Sequence, residues 1–230
     1  PRLVGHGVLL SRLGGGIGTR GPGEQKLEID RRRLRERISR LKGELEKLGR
    51  HRSLVRKGRK RKDFLSVAIV GYTNAGKSAL LNALTGAKAF VEDKLFATLD
   101  PMTRLDERNG HRRILFTDTV GFLRDLPHGL IEAFKSTLEE VTEADALIHV
   151  LDITHPFEGE QKSSVEKVLA EIQAGEKPMV LALNKVDLIS PEEERQWQAK
   201  YPEGVLISAK EKTGIDSLYE KLESVLRRER

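Results

Sequence analysis

The 230-residue chain has no cysteine. Disulfides, thiolate-held zinc and a cysteine nucleophile are therefore excluded, and a reducing compartment suits the chain. No apolar run approaches the roughly 20 residues that span a bilayer, and no charged-then-apolar leader opens the sequence. Aromatic residues make up only 5%, few for stacking on unpaired bases, and no RNA-recognition module signature occurs. The first residue is Pro1 rather than Met, so a processed chain or a fragment is expected. What is present is a 38% hydrophobic share beside 33% charged residues. That is enough to build a core, and the length suits one α/β domain with an appendage.

The net charge of +6 conceals a division. Residues 31–62 hold sixteen Lys and Arg against Glu36, Glu44 and Glu46, whereas residues 63–230 hold 21 bases against 29 acids. A polyanion-binding arm on an acidic domain follows from this split, with nucleic acid as the expected contact. Within the arm, residues 14–23 are a glycine-rich loop that neither a helix nor a central strand would tolerate. Its Gly16-x-Gly18-x-x-Gly21 match is not a dinucleotide fingerprint, because Pro22 and Gly23 interrupt and no convincing strand precedes it. Beyond it Leu27, Leu34, Leu41 and Leu48 recur every seven residues, with Ile38 and Leu45 between them. This predicts a coiled-coil-type seam. Residues 1–13 are the expected partner, giving a helical hairpin tipped by the glycine loop, and Arg56–Lys62 is a basic linker. The expected division is a basic hairpin and linker over 1–62 and a second domain over 63–230.

The second domain opens with Leu65–Val70, a short β-branched run read as a buried strand. It leads into Gly71-Tyr72-Thr73-Asn74-Ala75-Gly76-Lys77-Ser78, a GxxxxGK[ST] phosphate loop in its required strand–loop–helix context. Backbone N–H groups of the loop, through Ala79, are expected around phosphate oxygens, with Lys77 on the β- and γ-phosphates and the Ser78 hydroxyl on Mg2+. The strand Pro178–Leu183 ends in Asn184-Lys185-Val186-Asp187. Guanine presents two neighbouring donors, N1–H and the exocyclic amine, and the Asp187 carboxylate suits both. Adenine lacks that pair. Asn184 is expected to hold the loops together, Lys185 to pack over the base, and the Ala209 N–H of the Ser208-Ala209-Lys210 turn to meet guanine O6. Ile114–Asp118 runs into Asp118-x-x-Gly121. Asp118 would hold Mg2+ through water and the Gly121 N–H would meet the γ-phosphate. Upstream, Phe96-Ala97-Thr98 offers Thr98 as a second protein ligand to Mg2+. Asn109-Gly110 signals a tight hairpin between Thr103–Arg108 and His111–Thr117.

These motifs in this order resemble the Ras-like, translation-factor class of P-loop GTPases over residues 65 to about 228. Gly15–Glu24, Leu27–Arg32, the phosphate loop, Leu95–Pro101 and Asp118–Phe122 together are similar to the HflX family across essentially the whole chain. The resemblance implies a Ras-like domain, mostly parallel with one antiparallel strand, behind a helical hairpin whose glycine loop enters ribosomal RNA. It implies a cytoplasmic GTPase that binds the large ribosomal subunit and splits stalled ribosomes. Family members carry an α/β domain before the hairpin, and some a C-terminal domain, so a truncated form is expected here.

Four residues need separate weighing. Phe122 stands where many GTPases orient the attacking water with Gln; slow intrinsic hydrolysis raised by the ribosome is expected, with Lys77, Thr98 and Gly121 as the groups acting on the phosphates. Asn74 occupies the position that holds K+ in some GTPases, or is a turn residue. His128 and His149 are read as structural, since no acid–base step requires them. The competing classes are a GTP-dependent RNA-binding module with negligible turnover and an ATPase or kinase, the latter opposed by Asn184-Lys-Val-Asp187. A monomer is the default.

Overall fold

The computed structural model describes residues 28–40, 64–86, 101–106, 113–122 and 138–228. The glycine loop, the proposed hairpin partner, the basic run 56–62, Phe96, Ala97, Thr98, Asn109-Gly110 and His128 lie outside them. The chain divides into two compact units, residues 1–57 and 58–230.

In the first unit, residues 28–40 form helix α1. Six of its residues are arginines, and Arg32 pairs with Glu36 one turn on. The helix is exposed along most of its length, and its seam residues Leu34 and Ile38 remain 47% and 53% exposed.

The second unit is a six-stranded sheet in the order β2-β3-β1-β4-β5-β6. The strands are β1 (Leu65–Gly71), β2 (Met102–Leu105), β3 (Ile114–Asp118), β4 (Ala146–Asp152), β5 (Met179–Asn184) and β6 (Val205–Ile207). Every pairing is parallel except β2 against β3. A parallel sheet needs cover on both faces, so its central strands read as continuous apolar runs; β4 is buried at all seven positions. Side chains alternate across the sheet. Val67, Ile69, Ile148 and Val150 share one apolar cluster with α2 (Lys77–Thr85) and α6 (Ile215–Arg228). Ala68, Val70 and Leu147 share another with the helical residues 138–142 (α3) and with α4 (Glu158–Glu171). On α6, Ile215, Leu218, Tyr219, Leu222 and Leu226 are buried at helical spacing. Helix α5 (Pro191–Lys200) starts at a capping box in which Ser190 and Glu193 satisfy each other's backbone N–H, with Pro191 at the first turn. No described helix is long and apolar enough to cross a membrane.

Candidate nucleotide-binding site

In an open parallel sheet the loops leaving the carboxyl ends of the strands form the natural crevice. Four such segments carry the motif residues: the turn after β1, the turn after β3, and the loops after β5 and β6.

Residues 71–78 wrap from β1 into α2. Gly76 has φ 95°, and a Cβ there would lie 2.3 Å from Asn184 Nδ2, so only glycine fits. Asn74 also takes a positive φ of 60°, a conformation Asn tolerates, and is exposed. Lys77 is buried and its Nζ donates to the Tyr72 carbonyl at 2.9 Å. Burial pushes its ammonium down to about 8, opposed by the nearby Asp118 carboxylate. The Ser78 hydroxyl donates to Asp118 Oδ2 at 2.6 Å. These two hard oxygen groups, brought together from α2 and β3, fit Mg2+.

The turn after β3 lies directly on this loop. Phe122 N–H donates to the Gly71 carbonyl at 3.1 Å, and Thr73 N–H to the Phe122 carbonyl at 2.9 Å. A Cβ at Gly121 would lie 2.7 Å from Thr73 Cα and 3.1 Å from Lys77 Nζ. The Phe122 side chain is buried in the cluster under α3 and α4. Phe122 thus closes a clasp through its backbone, a role its side chain does not announce.

At the other end, Asn184 spans two loops. Its Nδ2 donates to the Ala75 carbonyl at 2.8 Å, and its Oδ1 accepts from Ala209 N–H at 3.0 Å. The Ser208 hydroxyl donates to Asp187 Oδ1 at 2.6 Å and accepts from Glu211 N–H at 3.0 Å. Lys185 has φ 76°, and its Nζ pairs with Asp152 Oδ2 at 2.6 Å. The Ala209 N–H, expected at a base carbonyl, is thus engaged by Asn184. A buried amide needs an acceptor, and Asn184 Oδ1 is in reach. Lys210 is exposed beside Glu211.

Gly71 through Ser78, Asp118, Gly121, Asn184, Asp187, Ser208 and Ala209 therefore gather at one edge of the sheet. Two residues carry unassigned roles in the sequence reading. Asp152 orients Lys185 and accepts from the N–H and hydroxyl of Thr154; its place at the end of a buried strand was the available signal. Thr119 is fully buried and donates to the Ile69 carbonyl at 2.8 Å, pinning the turn after β3 to β1. Of the two weighed histidines, only His149 is described: it is 1% exposed, and among the described residues neither ring nitrogen has a hydrogen-bond partner. Burial, with the charges of Lys162 and Lys77 adding, pushes it down to about 3. Trp197 stacks on Tyr201 with Lys200 over its ring and packs in the cluster of Leu151, Ile153 and Leu183, a structural role.

Residues 66–185 match the family described as "50S ribosome-binding GTPase", and residues 1–59 match "GTP-binding GTPase Middle Region". The curated GTPase HflX of Caldanaerobacter subterraneus is 55% identical over 233 residues, covering 100% of this chain and 52% of that protein. The chain spans about half the length of the curated relatives it matches. Among solved structures, a GTP-binding protein from Sulfolobus solfataricus in complex with GDP is similar at 28% identity and TM-score 0.62, over 90% of this chain and 63% of that one. A variant of Era from Aquifex aeolicus bound to GDP.AlF4- is similar at 26% identity and TM-score 0.56, over 72% of this chain and 56% of that one. With the phosphate loop, the clasped turn and the Asn184 bridge in place on this sheet, the chain belongs to the HflX family of GTPases.

Proposed function

We propose that the chain binds GTP with Mg2+ and hydrolyses it to GDP and phosphate, serving as a nucleotide-set switch on the large ribosomal subunit. One observation carries the reading. Asn184 ties the phosphate loop to the Ser208-Ala209 turn, while Ser208 holds Asp187 beside it. A fixed carboxylate next to a phosphate loop matches guanine's two adjacent donors. The likeness to proteins captured with GDP and GDP.AlF4- supports it.

Phosphoryl transfer to water demands positioning and charge neutralisation more than covalent chemistry. In this reading Lys77 exchanges the Tyr72 carbonyl for phosphate oxygens, and phosphate charge restores the proton affinity that burial removes. The N–H groups of residues 73–79 line the phosphates at the start of α2. The Gly121 N–H meets the γ-phosphate. Ser78, Asp118 and Thr98 would hold Mg2+, which supplies charge neutralisation on the β- and γ-oxygens. Lys185 lies along the base face, and Ala209 shares its N–H between Asn184 and guanine O6. The Phe122 side chain can neither donate nor accept, so water is ordered from outside, and the ribosome supplies that ordering. The arginines of α1 contact ribosomal RNA. Splitting of stalled ribosomes, in the cytoplasm and by a monomer, completes the proposal. The exposed Asn74 side chain is the position from which K+ would be held; faster turnover in KCl than in NaCl assigns it that role, and equal rates leave it a turn residue.

The test of the base assignment is Asp187→Asn. GTP affinity should fall roughly 100-fold, the scale for a site left with unpaired polar groups, while xanthosine triphosphate gains affinity. Unchanged GTP binding would overturn it. Turnover with and without large subunits separates a stimulated GTPase from an RNA-binding module that only holds the nucleotide.

A further inference from the structure

Asp152 closes β4 and stands in register with Asn184 at the end of β5. Its two carboxylate oxygens have different partners. Oδ1 accepts from the N–H and the hydroxyl of Thr154, at 3.0 and 2.7 Å. Oδ2 pairs with Lys185 Nζ at 2.6 Å. The Asp152 side chain is 11% exposed and that of Lys185 26%, so solvent screens this pair less than an open surface pair. One oxygen fixes the carboxylate, and the other holds the ammonium.

Lys185 stands where β5 gives way to one short helical turn, Val186–Leu188, which carries Asp187. It takes a φ of 76°, a left-handed conformation that is costly for a residue other than glycine. Such strain persists only where the surroundings over-determine it. Three contacts do so here. The Ile153 N–H donates to the Asn184 carbonyl at 3.3 Å, the Leu188 N–H donates to the Lys185 carbonyl at 3.1 Å, and Asp152 takes the ammonium. The last of these also disciplines the side chain. A lysine stem held only at its backbone samples many rotamers; held at its ammonium as well, its course is set.

We infer that Asp152 is a positioning residue for guanine binding: by holding the Lys185 ammonium it fixes the Lys185 stem as one wall of the base site and steadies the turn that presents Asp187. It touches neither base nor phosphate and acts through Lys185. This rests on the nucleotide reading above, in which Lys185 lies along the base face. An ion pair present only for stability would influence the base end and the phosphate end alike.

The experiment compares wild type, Asp152→Asn, Lys185→Met and the double variant for melting temperature and for affinity toward GDP and toward inorganic pyrophosphate, each with Mg2+. Pyrophosphate has no base and reports the phosphate end alone. Asparagine keeps an Oδ1 for Thr154 and turns a donor toward the ammonium in place of Oδ2. Methionine keeps an apolar stem for the base and drops the ammonium. Each single variant should lose about tenfold in GDP affinity, the scale of one charge-assisted hydrogen bond, while pyrophosphate affinity stays within about twofold. The double variant should also lose about tenfold, because both changes remove the same contact. No loss in either single variant, a roughly hundredfold loss in the double variant, or an equal loss for pyrophosphate would overturn the inference. Failure of the wild type to bind GDP would instead overturn the nucleotide reading itself.

Discussion

The two ends of the site are built differently. At the base end, side chains do the joining: Asn184 reaches Ala75 and Ala209, and Ser208 reaches Asp187. At the phosphate end, the last residues of the turn after β3 are held by backbone groups, through Phe122 to Gly71 and Thr73, while the Thr119 hydroxyl anchors the start of the turn to Ile69. The Asn184 bridge is buried at both of its contacts. A backbone clasp on a turn can open by rotation about a few dihedral angles. In the proposed function the contrast sets base recognition at one end apart from γ-phosphate sensing at the other.

The largest effect should come from breaking the base end. Asn184→Ala strands the Ala75 carbonyl and the Ala209 N–H, both buried, and should cost about 3 kcal/mol. A shifted urea midpoint at constant slope would show it. Gly121→Ala strikes the phosphate end. Its Cβ would fall 2.7 Å from Thr73 Cα, yet the turn can swing away and lose only the clasp. About 1–2 kcal/mol is expected, with GDP affinity retained. A cost above that of Asn184→Ala would contradict the proposed division.

Much of the site is written in contiguous residues. The phosphate loop, Asp118-x-x-Gly121 and Asn184-Lys-Val-Asp187 have covalent spacings that geometry demands, and strands were visible before each. The unreadable parts are tertiary. That Asn184 ties loops together was legible; that its partners would be the Ala75 carbonyl, 109 residues away in sequence, and the Ala209 N–H was not. The role of Phe122 lies in its main chain, whereas its side chain advertises only what it cannot do. The apolar context of His149 announced burial, but not that its ring nitrogens would lack partners. Thr98 and the glycine loop, both singled out in the sequence, lie outside the described residues.

A finer probe is pH. The folded state keeps His149 neutral down to about pH 3, while the unfolded chain protonates it near the ordinary value of about 6.5. Below that value the unfolded state binds more protons, so stability falls as pH falls, by at most about 1.4 kcal/mol per pH unit from this group. His149→Leu should remove that component, so the variant gains on wild type in urea titrations from pH 6.5 toward 4. Parallel curves would show that the ring is hydrated. The smallest effect belongs to the surface. Lys200 pairs with Glu158, and Lys200→Ala should cost under about 1 kcal/mol, with nucleotide affinities unchanged.

The strand order has a consequence for synthesis. β1 is made first among the strands, yet it lies between β3 and β4, and its loop is braced by Asn184 far downstream. A ribosome making this domain exposes the phosphate loop long before the residues that shape it exist. The loop therefore gains its form only after β5 has emerged, and nucleotide capture marks a nearly finished domain.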